Sequence, residues 1–593
     1  MCGIAGILTS TPLPESTAAL PRMLGALRHR GPDDRGSFHS PGGHAALAHA
    51  RLSILDLSPA GHQPMSTPDG RLTIVFNGEI YNFLELRRVL AAAGVVFQSN
   101  SDTEVILRAY EAYGPACVEQ LRGMFAFALW DEREQSCLLA RDPFGIKPLY
   151  YHAPGQRLVF ASETRALLAS GLVDRALDAR GLHGYFRTGS VPEPRTLLRD
   201  VRCLEAGHTA VWHAGRLDQR RYWSLRFTPE PAGEAEAVRA TRSALLDSVE
   251  HHFISDVPVG VFLSGGMDST ALVALARTVG RKELHTYSIS FPGLPGDEGG
   301  LARRTAAHFG TRHEEWALDA TTGRELFGQF LAAMDQPSID GLNTFTVSKF
   351  ARDRGMKVVL SGLGGDELFG GYPSFRKVPQ LAQLNRRLRW TGPVRAGARA
   401  VLRRSSRPPL RRLGEMLGQP ARLDTAYAAF RGTFTAAEAT MLTRHYTGEE
   451  VVEDFSSEEL PADPTPEDTV SRLELTRYMR NQLLRDSDVM SMAHGLELRV
   501  PFLDLPLAAT LARLPAALRL RAGKQLLLDA VPEVPAWIAR QPKRGFMFPF
   551  DQWLGAEWRE VFGALDHRCP VPTQTWYRKW AVFVLERWVE KLK

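Results

Sequence analysis

The chain has 593 residues, of which 44% are hydrophobic and 23% are charged, and its formal net charge is +6 at pH 7. This composition is typical of a globular protein, and the length predicts at least two domains because one hydrophobic core rarely serves more than about 250–300 residues. No apolar run approaches the roughly 18 residues that span a bilayer, and the first ten residues lack the basic and apolar regions of a signal peptide. We therefore expect no membrane partner and a cytoplasmic location.

The five cysteines are scattered, odd in number and without any CxxC pair: Cys2, Cys117, Cys137, Cys203 and Cys569. Disulfide frameworks and zinc sites rest on paired or closely spaced cysteines. The pattern argues against both kinds of site and fits a reducing compartment.

An arginine-rich stretch without any acid runs over residues 386–412. A basic stretch of this kind can bind nucleic acid or an anionic lipid surface. No aromatic ladder or groove-reading module accompanies it, and the segment GEEVVEDFSSEELPADPTPED further along carries the opposite charge. We interpret the stretch as a solvated helix and loop, and we expect no nucleic-acid partner.

Alternating β-branched and aromatic residues predict short strands in the first 200 residues, among them LTIVFNGEIYN, GMFAFALWD, SCLLARDPFG, PLYYHA and RLVFASE. The segments FLELRRVLAAAG and DTEVILRAYEAYG have helical periodicity. TPEPAGEAE has no periodicity and is rich in Pro, Gly and Glu, which is typical of a linker. We place the first domain at residues 2–210, the linker at 211–235 and the second domain at 236–593.

The second domain begins with alternating strand and helix patterns. VGVFL predicts a buried strand that leads directly into SGGMDSTALVALART, a glycine turn followed by a helix. The strand patterns LHTYSISF and KVVLSG then flank the helical pattern LARRTAAHFG, and this order predicts an α/β fold with a doubly wound parallel sheet. From about residue 375 onward the pattern is mainly helical.

Cys2 is the first candidate catalytic residue. Met1 precedes a small residue, so its removal would leave Cys2 with a free α-amine beside its thiol. The ordinary pKa of an α-amine is near 8, so a good share is neutral at pH 7 and can accept the thiol proton. The thiolate can then attack an amide carbonyl. A buried cysteine that merely packs is the alternative, and MCG alone does not decide between the two.

Four further motifs follow MCGIAG, namely HRGPDD at 29–34, AHARLSILD at 48–56, FNGEIYN at 76–82 and SDTE at 101–104. Together the five motifs resemble the class II glutamine amidotransferases, a branch of the N-terminal-nucleophile hydrolases, over about residues 2–205. The resemblance implies a four-layer αββα sandwich in which Cys2 releases ammonia from glutamine. The joint pattern favours this function over a structural cysteine.

The resemblance also implies roles for five further residues. Arg51 matches the arginine that binds the α-carboxylate of glutamine, and a planar guanidinium suits such a contact. Asn77 and Gly78 match the oxyanion hole, where a side-chain amide and a backbone N–H meet the developing negative charge. Glu79 and Asp102 match the anions that hold the α-amino group, although Asp102 also has the sequence position of a helix N-cap before TEVILRAY.

The motif SGGMDST at 264–270 joins the predicted strand to its helix. Its glycines allow backbone N–H groups to approach a phosphate, and a helix N-terminus favours an anion. It lacks the GK[ST] ending of a Walker A loop. It resembles the pyrophosphate loop of the ATP pyrophosphatases, which cleave ATP between the α and β phosphates, and this bond choice implies adenylation of a carboxylate.

Three more segments extend the resemblance to the asparagine synthetase family over about residues 235–555: LSGLGGDELFGGY at 360–372, SMAHGLELRVPFLD at 491–504 and PKRGFMFP at 542–549. By this resemblance Asp268 and Asp366 hold Mg²⁺ on the phosphates, as hard oxygen ligands for a hard cation. Lys543 matches the lysine that neutralises charge near the α-phosphate and pyrophosphate. The positions that match ATP and pyrophosphate contacts are Leu263, Ser264, Gly265, Gly266, Asp268, Ser269, Ile289, Ser361 and Gly362.

Two positions depart from the family pattern. Leu363 stands where the synthetases carry an acid at the point where the aspartyl-adenylate meets ammonia, and Gln336 stands where their common pattern has another acid. A leucine side chain can neither accept a proton nor hold an ammonium ion. Either another carboxylate, such as Asp340 or Glu367, takes over this function, or the acceptor is not free aspartate.

The resemblance predicts a ligase that consumes glutamine and ATP, uses Mg²⁺ and converts aspartate to asparagine, with release of glutamate, AMP and pyrophosphate. The alternative is the same machinery acting on another carboxylate, in a cell-wall, polysaccharide or natural-product precursor. Nucleic-acid-modifying enzymes share the pyrophosphate loop, but the intact glutaminase motifs argue against that function. The family resemblance alone suggests a homodimer.

Overall fold

The computed structural model describes residues 2–12, 16–294, 297–451, 463–541, 548–554, 558–563, 565 and 569–593. Lys543, which the sequence analysis matches to a catalytic lysine, lies outside these ranges. Within them, no helix combines the length and the apolar character that crossing a membrane requires.

Two six-stranded antiparallel sheets form the first domain. The strands are β1 (Gly3–Thr9), β2 (Asp34–His39), β3 (Ala45–Arg51), β4 (Met65–Ser66), β5 (Leu72–Ile80), β6 (Gly123–Asp131), β7 (Ser136–Arg141), β8 (Tyr150–His152), β9 (Arg157–Ala161), β10 (Val201–Cys203), β11 (His208–His213) and β12 (Arg216–Arg221). The helices are α1 (Ser16–Ala26), α2 (Phe83–Ala92), α3 (Asp102–Tyr113), α4 (Thr164–Ser170) and α5 (Ala179–Thr188). One sheet has the order β10-β8-β9-β1-β3-β2, and the other has the order β12-β11-β7-β6-β5-β4.

The two sheets pack face to face because their strands are apolar on both sides. On β6, Ala128 and Trp130 lie in the core between the sheets, whereas Phe125 and Phe127 lie in a second core with α2 and α3. Successive side chains of a strand point to opposite faces, which explains the division. Helices α1 and α4 cover the outer face of the other sheet. This arrangement confirms the predicted αββα sandwich.

The second sheet continues beyond the predicted start of the linker at residue 211. Strand β11 pairs with β7 and with β12, and it buries Ala210 and Trp212. The alternation in HTAVWH thus provides one buried face, which keeps this segment in the sheet. Residues 222–233 have no regular secondary structure and lead into the second domain.

The second domain combines one parallel sheet with many helices. Its strands are β13 (Val259–Phe262), β14 (His285–Ser290), β15 (Arg312–Ala317), β16 (Val358–Leu360) and β17 (Glu497–Arg499). Its helices are α6 (Glu234–His252), α7 (Met267–Thr278), α8 (Gly299–Phe309), α9 (Ala320–Ala333), α10 (Leu342–Asp353), α11 (Gly365–Phe369), α12 (Ser374–Leu388), α13 (Gly392–Arg403), α14 (Pro408–Met416), α15 (Leu423–Arg431), α16 (Ala436–Thr447), α17 (Pro466–Leu473), α18 (Arg485–Met492), α19 (Leu505–Ala512), α20 (Ala516–Arg519), α21 (Gln525–Ala530), α22 (Ala536–Ala539), α23 (Phe550–Trp553), α24 (Arg559–Phe562) and α25 (Trp576–Leu592). A π-helical stretch, Glu474–Leu484, joins α17 to α18. Short 3₁₀ helices span Pro59–Gly61, Gly114–Gln120, Pro501–Leu503 and Ala522–Lys524.

All five strands of the second domain are parallel, in the order β15-β14-β13-β16-β17. The chain starts at the centre, adds two strands on one side and then two on the other, which confirms the predicted doubly wound sheet. In such sheets ligands bind in the crevice where the strand order reverses, at the carboxyl ends of the strands. Here that point lies beyond β13 and β16.

The arginine-rich stretch 386–412 forms the end of α12, the whole of α13 and the start of α14. Helix α13 buries none of its residues, as expected of a solvated helix. Arg412 differs, because it is buried and donates a hydrogen bond to the carbonyl oxygen of Ala429. Residues 452–462, the centre of the acidic segment, lie outside the described ranges, so the predicted charge balance stays a prediction.

Candidate active sites

Cys2 lies directly before β1 and is only 8% exposed. Its backbone nitrogen donates to Oδ1 of Asn77 on β5 at 3.0 Å, and its carbonyl oxygen accepts from Nε of Arg30 at 3.0 Å. These bonds fix the main chain of Cys2 on both sides. Burial raises the pKa of the Cys2 thiol, so attack by the thiolate needs a base close to the sulfur.

Asn77 presents a hydrogen-bond donor beside Cys2, and Gly78 follows it on β5. Nδ2 of Asn77 is buried and has no hydrogen-bond partner in the described part of the chain. An unpaired buried amide costs roughly 1–3 kcal/mol, which a ligand oxygen would offset. Gly78 faces β6 so closely that a side chain there would collide with the carbonyl oxygen of Met124. The close approach of β5 and β6 therefore explains why the residue after Asn77 is a glycine.

Arg51 ends β3, and the loop that follows holds its guanidinium. Nη1 donates to the carbonyl oxygen of Ser58 at 3.3 Å. Nη2 donates to the carbonyl oxygens of Leu55 at 3.2 Å and of Asp56 at 2.5 Å. The positive charge acts on Cys2 and opposes the effect of burial on the thiol pKa. The orientation of the guanidinium is thus set by the loop itself.

Glu79 and Asp102 are neighbouring buried carboxyls at the end of β5. Oδ2 of Asp102 accepts from the backbone N–H of Ile80 at 3.0 Å, and Oε1 of Glu79 has no hydrogen-bond partner among the described residues. Burial raises the pKa of both carboxyls, that of Asp102 to about 6. Because both carboxyls are buried, a positively charged group beside them would stabilise their ionised forms. The N-cap of α3 is Ser101, whose side chain accepts from the N–H of Thr103, so the alternative prediction for Asp102 is wrong.

The partner of Glu79 comes from the second domain, and the sequence analysis does not find it. Nη2 of Arg499, on β17, donates to Oε2 of Glu79 at 2.8 Å, while its Nε donates to Oε1 of Glu497 at 2.5 Å. All three side chains are buried. The carbonyl oxygen of Arg499 also accepts from the N–H of Ser361 at 2.9 Å. The sequence offers one signal for this contact, which is Arg499 itself. An arginine inside the apolar motif GLELRVPFLD needs a buried acid as its partner.

A second site lies at the carboxyl ends of the parallel strands, where the fold predicts a ligand. The loop after β13 turns at Gly265, whose φ of +77° is in the left-handed region that favours glycine. Ser264 Oγ accepts from the N–H of Gly266, directly before α7. A cavity of about 370 Å³ opens here. All ten predicted ATP and metal positions line it: Leu263, Ser264, Gly265, Gly266, Asp268, Ser269, Ile289, Ser361, Gly362 and Asp366.

Asp268 and Asp366 share a positive charge that the sequence analysis does not find. Nζ of Lys524 lies 2.6 Å from both carboxylate oxygens of Asp268 and also forms an ion pair with Asp366. Burial alone would lower the pKa of Lys524, but the two carboxylates raise it. The described residues contain no group of three or more His, Cys, Asp or Glu that could hold a metal by themselves. Two carboxylates beside a phosphate loop fit Mg²⁺, which completes its shell with phosphate oxygens and water.

Comparison with known proteins divides the chain in the same way as its fold. Residues 1–223 match the glutamine amidotransferase domain family, and residues 240–583 match the asparagine synthase family. Over 571 residues the chain is 34% identical to asparagine synthetase [glutamine-hydrolyzing] 1 of Bacillus subtilis, covering 94% of this chain and 89% of that protein. The chain belongs to the glutamine-hydrolysing asparagine synthetase family. It is therefore a glutamine-hydrolysing ligase of a family that uses ATP.

Other relatives of this synthetase family member have different names. The chain is 33% identical over 408 residues to a protein named amidase chry2 from Gibberella zeae, covering 63% of this chain and 60% of that protein. A solved glutamine phosphoribosylpyrophosphate amidotransferase from B. subtilis is 16% identical, with a TM-score of 0.30, over 61% of this chain and 81% of that chain.

The acids proposed to replace the missing synthetase acid lie in two different places. Leu363 and Glu367 line the ATP cavity, and Glu367 accepts from the hydroxyl of Tyr372 at 2.9 Å. Burial, together with the charge of Asp366, raises the pKa of Glu367 to about 8. Asp340 lines a neighbouring, larger cavity. Glu367 thus shares the ATP cavity with Leu363, whereas Asp340 lies in the neighbouring cavity.

Gln336 does not face either cavity of this synthetase family member. Its Oε1 accepts from the backbone N–H of Leu197 at 3.1 Å, across the boundary between the domains, and the side chain is 5% exposed. A different buried acid lies nearby, since Asp486 accepts from the hydroxyl of Ser338 at 2.5 Å. Burial raises the pKa of Asp486 to about 7. Gln336 therefore forms a buried contact between the domains.

An apolar cluster joins the two sites. Leu52 and Met124 of the first domain belong to the same buried cluster as Leu263 and Leu498, which line the ATP cavity. Met124 is also the residue whose carbonyl oxygen lies against Gly78. Apolar packing thus extends from the neighbourhood of Gly78 to the ATP cavity.

Proposed function

We propose that this protein forms an amide by transferring ammonia, released from glutamine, to a carboxylate that ATP has activated. The proposal rests above all on Arg499. Its side chain contacts Glu79 in the glutamine site, and its carbonyl oxygen accepts from Ser361 in the nucleotide site. The buried Arg499 thus connects the glutamine site to the nucleotide site. A reaction that passes ammonia from one site to the other requires such a connection.

In the first half-reaction, Sγ of Cys2 attacks the side-chain amide carbon of glutamine while the α-amine of the same residue takes the thiol proton. Nδ2 of Asn77 and the N–H of Gly78 stabilise the oxyanion. Collapse of this intermediate expels ammonia and leaves a γ-glutamyl thioester, which water hydrolyses to glutamate. Three charged residues hold the other end of glutamine: Arg51, Glu79 and Asp102.

In the second half-reaction, the acceptor carboxylate attacks the α-phosphorus of ATP and forms an acyl-adenylate and pyrophosphate. The N–H groups of residues 264–266 and the N-terminus of α7 favour the phosphates. Mg²⁺ held by Asp268 and Asp366 would neutralise phosphate charge. Lys543, which lies outside the described residues, would neutralise charge near the α-phosphate. Ammonia then attacks the acyl carbon, forms the amide and displaces AMP.

Two acceptors are candidates for the second half-reaction. Aspartate is the first, because the relatives named as asparagine synthetases point to asparagine synthesis. A larger carboxylate is the second, and Leu363 favours it because this apolar side chain lines the ATP cavity where the family pattern has an acid. The relative named as an amidase is a further reason to test acids other than aspartate.

Cys2→Ala tests the division of labour between the sites. We expect this variant to lose glutamine hydrolysis by at least about 10³-fold, since removal of a nucleophile has effects of this order or more. Synthesis from added ammonium chloride should remain near the wild-type rate. Glutamate release and pyrophosphate release, measured on the same samples, separate the two activities. Cys569→Ala, a cysteine of intermediate burial, is the matched control and should retain both.

A panel of carboxylic acids with glutamine and Mg-ATP tests the reaction itself. Acid-dependent release of pyrophosphate and AMP is the expected result, because activation by adenylation gives both products. Release of ADP and phosphate would contradict the adenylation step. Loss of ammonia-dependent synthesis in a folded Cys2→Ala variant would contradict the two-site division.

A further inference from the structure

A cleft of about 1000 Å³ lies beside the ATP cavity, between α5 with its following loop and the helices of the second domain. Its lining, among the described residues, contains eight arginines but only three acids. Asn343 lines both the cleft and the ATP cavity, so the two are neighbours that share part of a wall. We call this space the arginine cleft. The half-reactions described above use none of its arginines.

Part of this positive charge has no internal counterpart. Arg195 and Arg202 share one carboxylate, that of Asp178, at 3.4 and 3.3 Å. Arg180 adds a third positive charge to this group: burial and the charges of both neighbouring arginines lower the pKa of Arg195. Arg180 and Arg477 form no ion pair or side-chain hydrogen bond within the described part of the chain. Guanidiniums that outnumber the acids lining the same cleft favour an anionic ligand.

The wall between the cleft and the ATP cavity is aromatic. The guanidinium of Arg431 lies 3.9 Å from the ring centre of Tyr478 and 4.6 Å from that of Tyr372. Tyr372 lines the ATP cavity, whereas Arg431 and Tyr478 line the cleft. Arg431 forms an ion pair with Glu474 at 2.9 Å, so its charge is already neutralised. Its guanidinium therefore stabilises the packing of the two tyrosine rings in the wall. The cleft and the ATP cavity are therefore separated by this wall and meet at Asn343.

We infer that the arginine cleft binds the acyl acceptor, and that this acceptor is an extended acid with at least one negative charge beyond the carboxylate to be amidated. The inference rests on the proposed amide-forming reaction and names its substrate class. Aspartate would occupy only a small part of about 1000 Å³. Guanidinium forks bind carboxylates and phosphates alike, so the additional charge can come from either group.

The test compares three probes: tri-galacturonate, which carries several carboxylates, UDP-glucuronate, which carries phosphates and one carboxylate, and aspartate. Binding is measured by calorimetry in 50 and 300 mM NaCl, and turnover by glutamine-dependent pyrophosphate release. We expect at least one polyanion to bind at least tenfold more tightly than aspartate, with an affinity that falls at the higher salt concentration. The stronger polyanion identifies the source of the additional charge.

The double variant Arg180→Gln/Arg477→Gln removes the two unpaired charges. It should weaken polyanion binding at least tenfold, and raise KM for the acceptor more than it changes kcat. The matched control is Arg386→Gln/Arg387→Gln, two exposed arginines on α12 outside the cleft, which removes the same net charge. The control should bind and turn over like wild type. Thermal unfolding checks that both double variants are folded.

Several outcomes would overturn the inference. Wild type that binds neither polyanion, equal affinity in wild type and Arg180→Gln/Arg477→Gln, or preferred turnover of aspartate would each do so. Aspartate turnover would leave the proposed amide synthesis standing. Conversely, tight charge-dependent binding in the cleft without pyrophosphate release from any acid would contradict the proposed reaction and leave the binding site standing.

Discussion

The side chains around Cys2 gain their properties from burial. Among the residues that the structure describes, Nδ2 of Asn77 and Oε1 of Glu79 have no hydrogen-bond partner, and burial raises the pKa of Asp102 to about 6. A carboxyl in this range changes charge within the pH interval of an ordinary assay. The binding of the α-ammonium group of glutamine is therefore expected to depend on pH.

The first prediction concerns this pH dependence. Below about pH 6 Asp102 becomes protonated and loses its attraction for the α-ammonium group, so KM for glutamine should rise as the pH falls. The rise should approach tenfold per pH unit for a single group well below its pKa. Steady-state glutaminase assays from pH 5 to 8 measure it. Asp102→Asn should have a raised KM already at pH 7. A wild-type KM that stays constant between pH 5 and 7 would contradict the assignment.

Leu363 offers a prediction about the acceptor. Leu363→Glu places a carboxylate in a half-buried position beside the acyl group, and such a charge costs several kcal/mol unless it is paired or protonated. Amide synthesis with an extended acceptor should fall at least tenfold, since about 1.4 kcal/mol is a factor of ten in rate. Leu363→Met, similar in volume and uncharged, should retain most activity. Faster asparagine formation by Leu363→Glu would favour aspartate instead.

Secondary-structure elements determine where the nucleotide site is. Strands β13 and β16 end side by side, and the loops after them bring Asp268 and Asp366 together although nearly one hundred residues separate them. Lys524 approaches the same carboxylates from the 3₁₀ helix before α21. This lysine would therefore compete with the proposed Mg²⁺ for one pair of acids.

Lys524→Met tests this competition. Loss of the lysine leaves one buried and one partly buried carboxylate without a cation, so the variant should be less stable than wild type in EDTA and should gain more stability from 10 mM MgCl₂. Thermal unfolding with and without Mg²⁺ measures both effects without requiring activity. Asp268→Asn is the opposite control, because it removes a ligand and should reduce the gain from Mg²⁺. Equal Mg²⁺ effects in wild type and Lys524→Met would contradict a shared site.

The whole molecule is held together by buried charges that cross between the domains. Arg30 pairs with Glu163 in its own domain and with Asp488 in the other, at 2.9 and 2.8 Å. Arg499 pairs with Glu79 across the same boundary at 2.8 Å. Such pairs penalise separation, because each partner would be left with an unpaired charge. The predicted homodimer and cytoplasmic location stay predictions at this scale.

Arg499→Met is the corresponding prediction. The variant leaves Glu79 and Glu497 buried without their cation, so the free energy of unfolding should fall by about 3–5 kcal/mol. KM for glutamine should also rise, since Glu79 would lose the contact that positions it. Arg499→Lys keeps the charge and should lose less stability. Urea unfolding and glutaminase assays measure the two effects. Unchanged stability in Arg499→Met would contradict the proposed role of the pair.

The sequence by itself predicted the doubly wound sheet from local patterns, namely alternation within strands and a glycine turn before a helix. Its short motifs carried the family resemblance that implied the αββα sandwich, Cys2 as the nucleophile and the nucleotide loop at 264–270. Only the tertiary structure decided the partners of those residues. Glu79 and Arg499 are 420 residues apart in the chain, and Lys524 is 256 residues from Asp268. No periodicity or spacing encodes such contacts, since they follow from how strands β5 and β17, or β13 and the helices beyond it, pack in space. The arginine cleft was hidden for the same reason: its unpaired charges come from α5 and from the π-helical stretch, not from the arginine-rich segment that drew attention in the sequence.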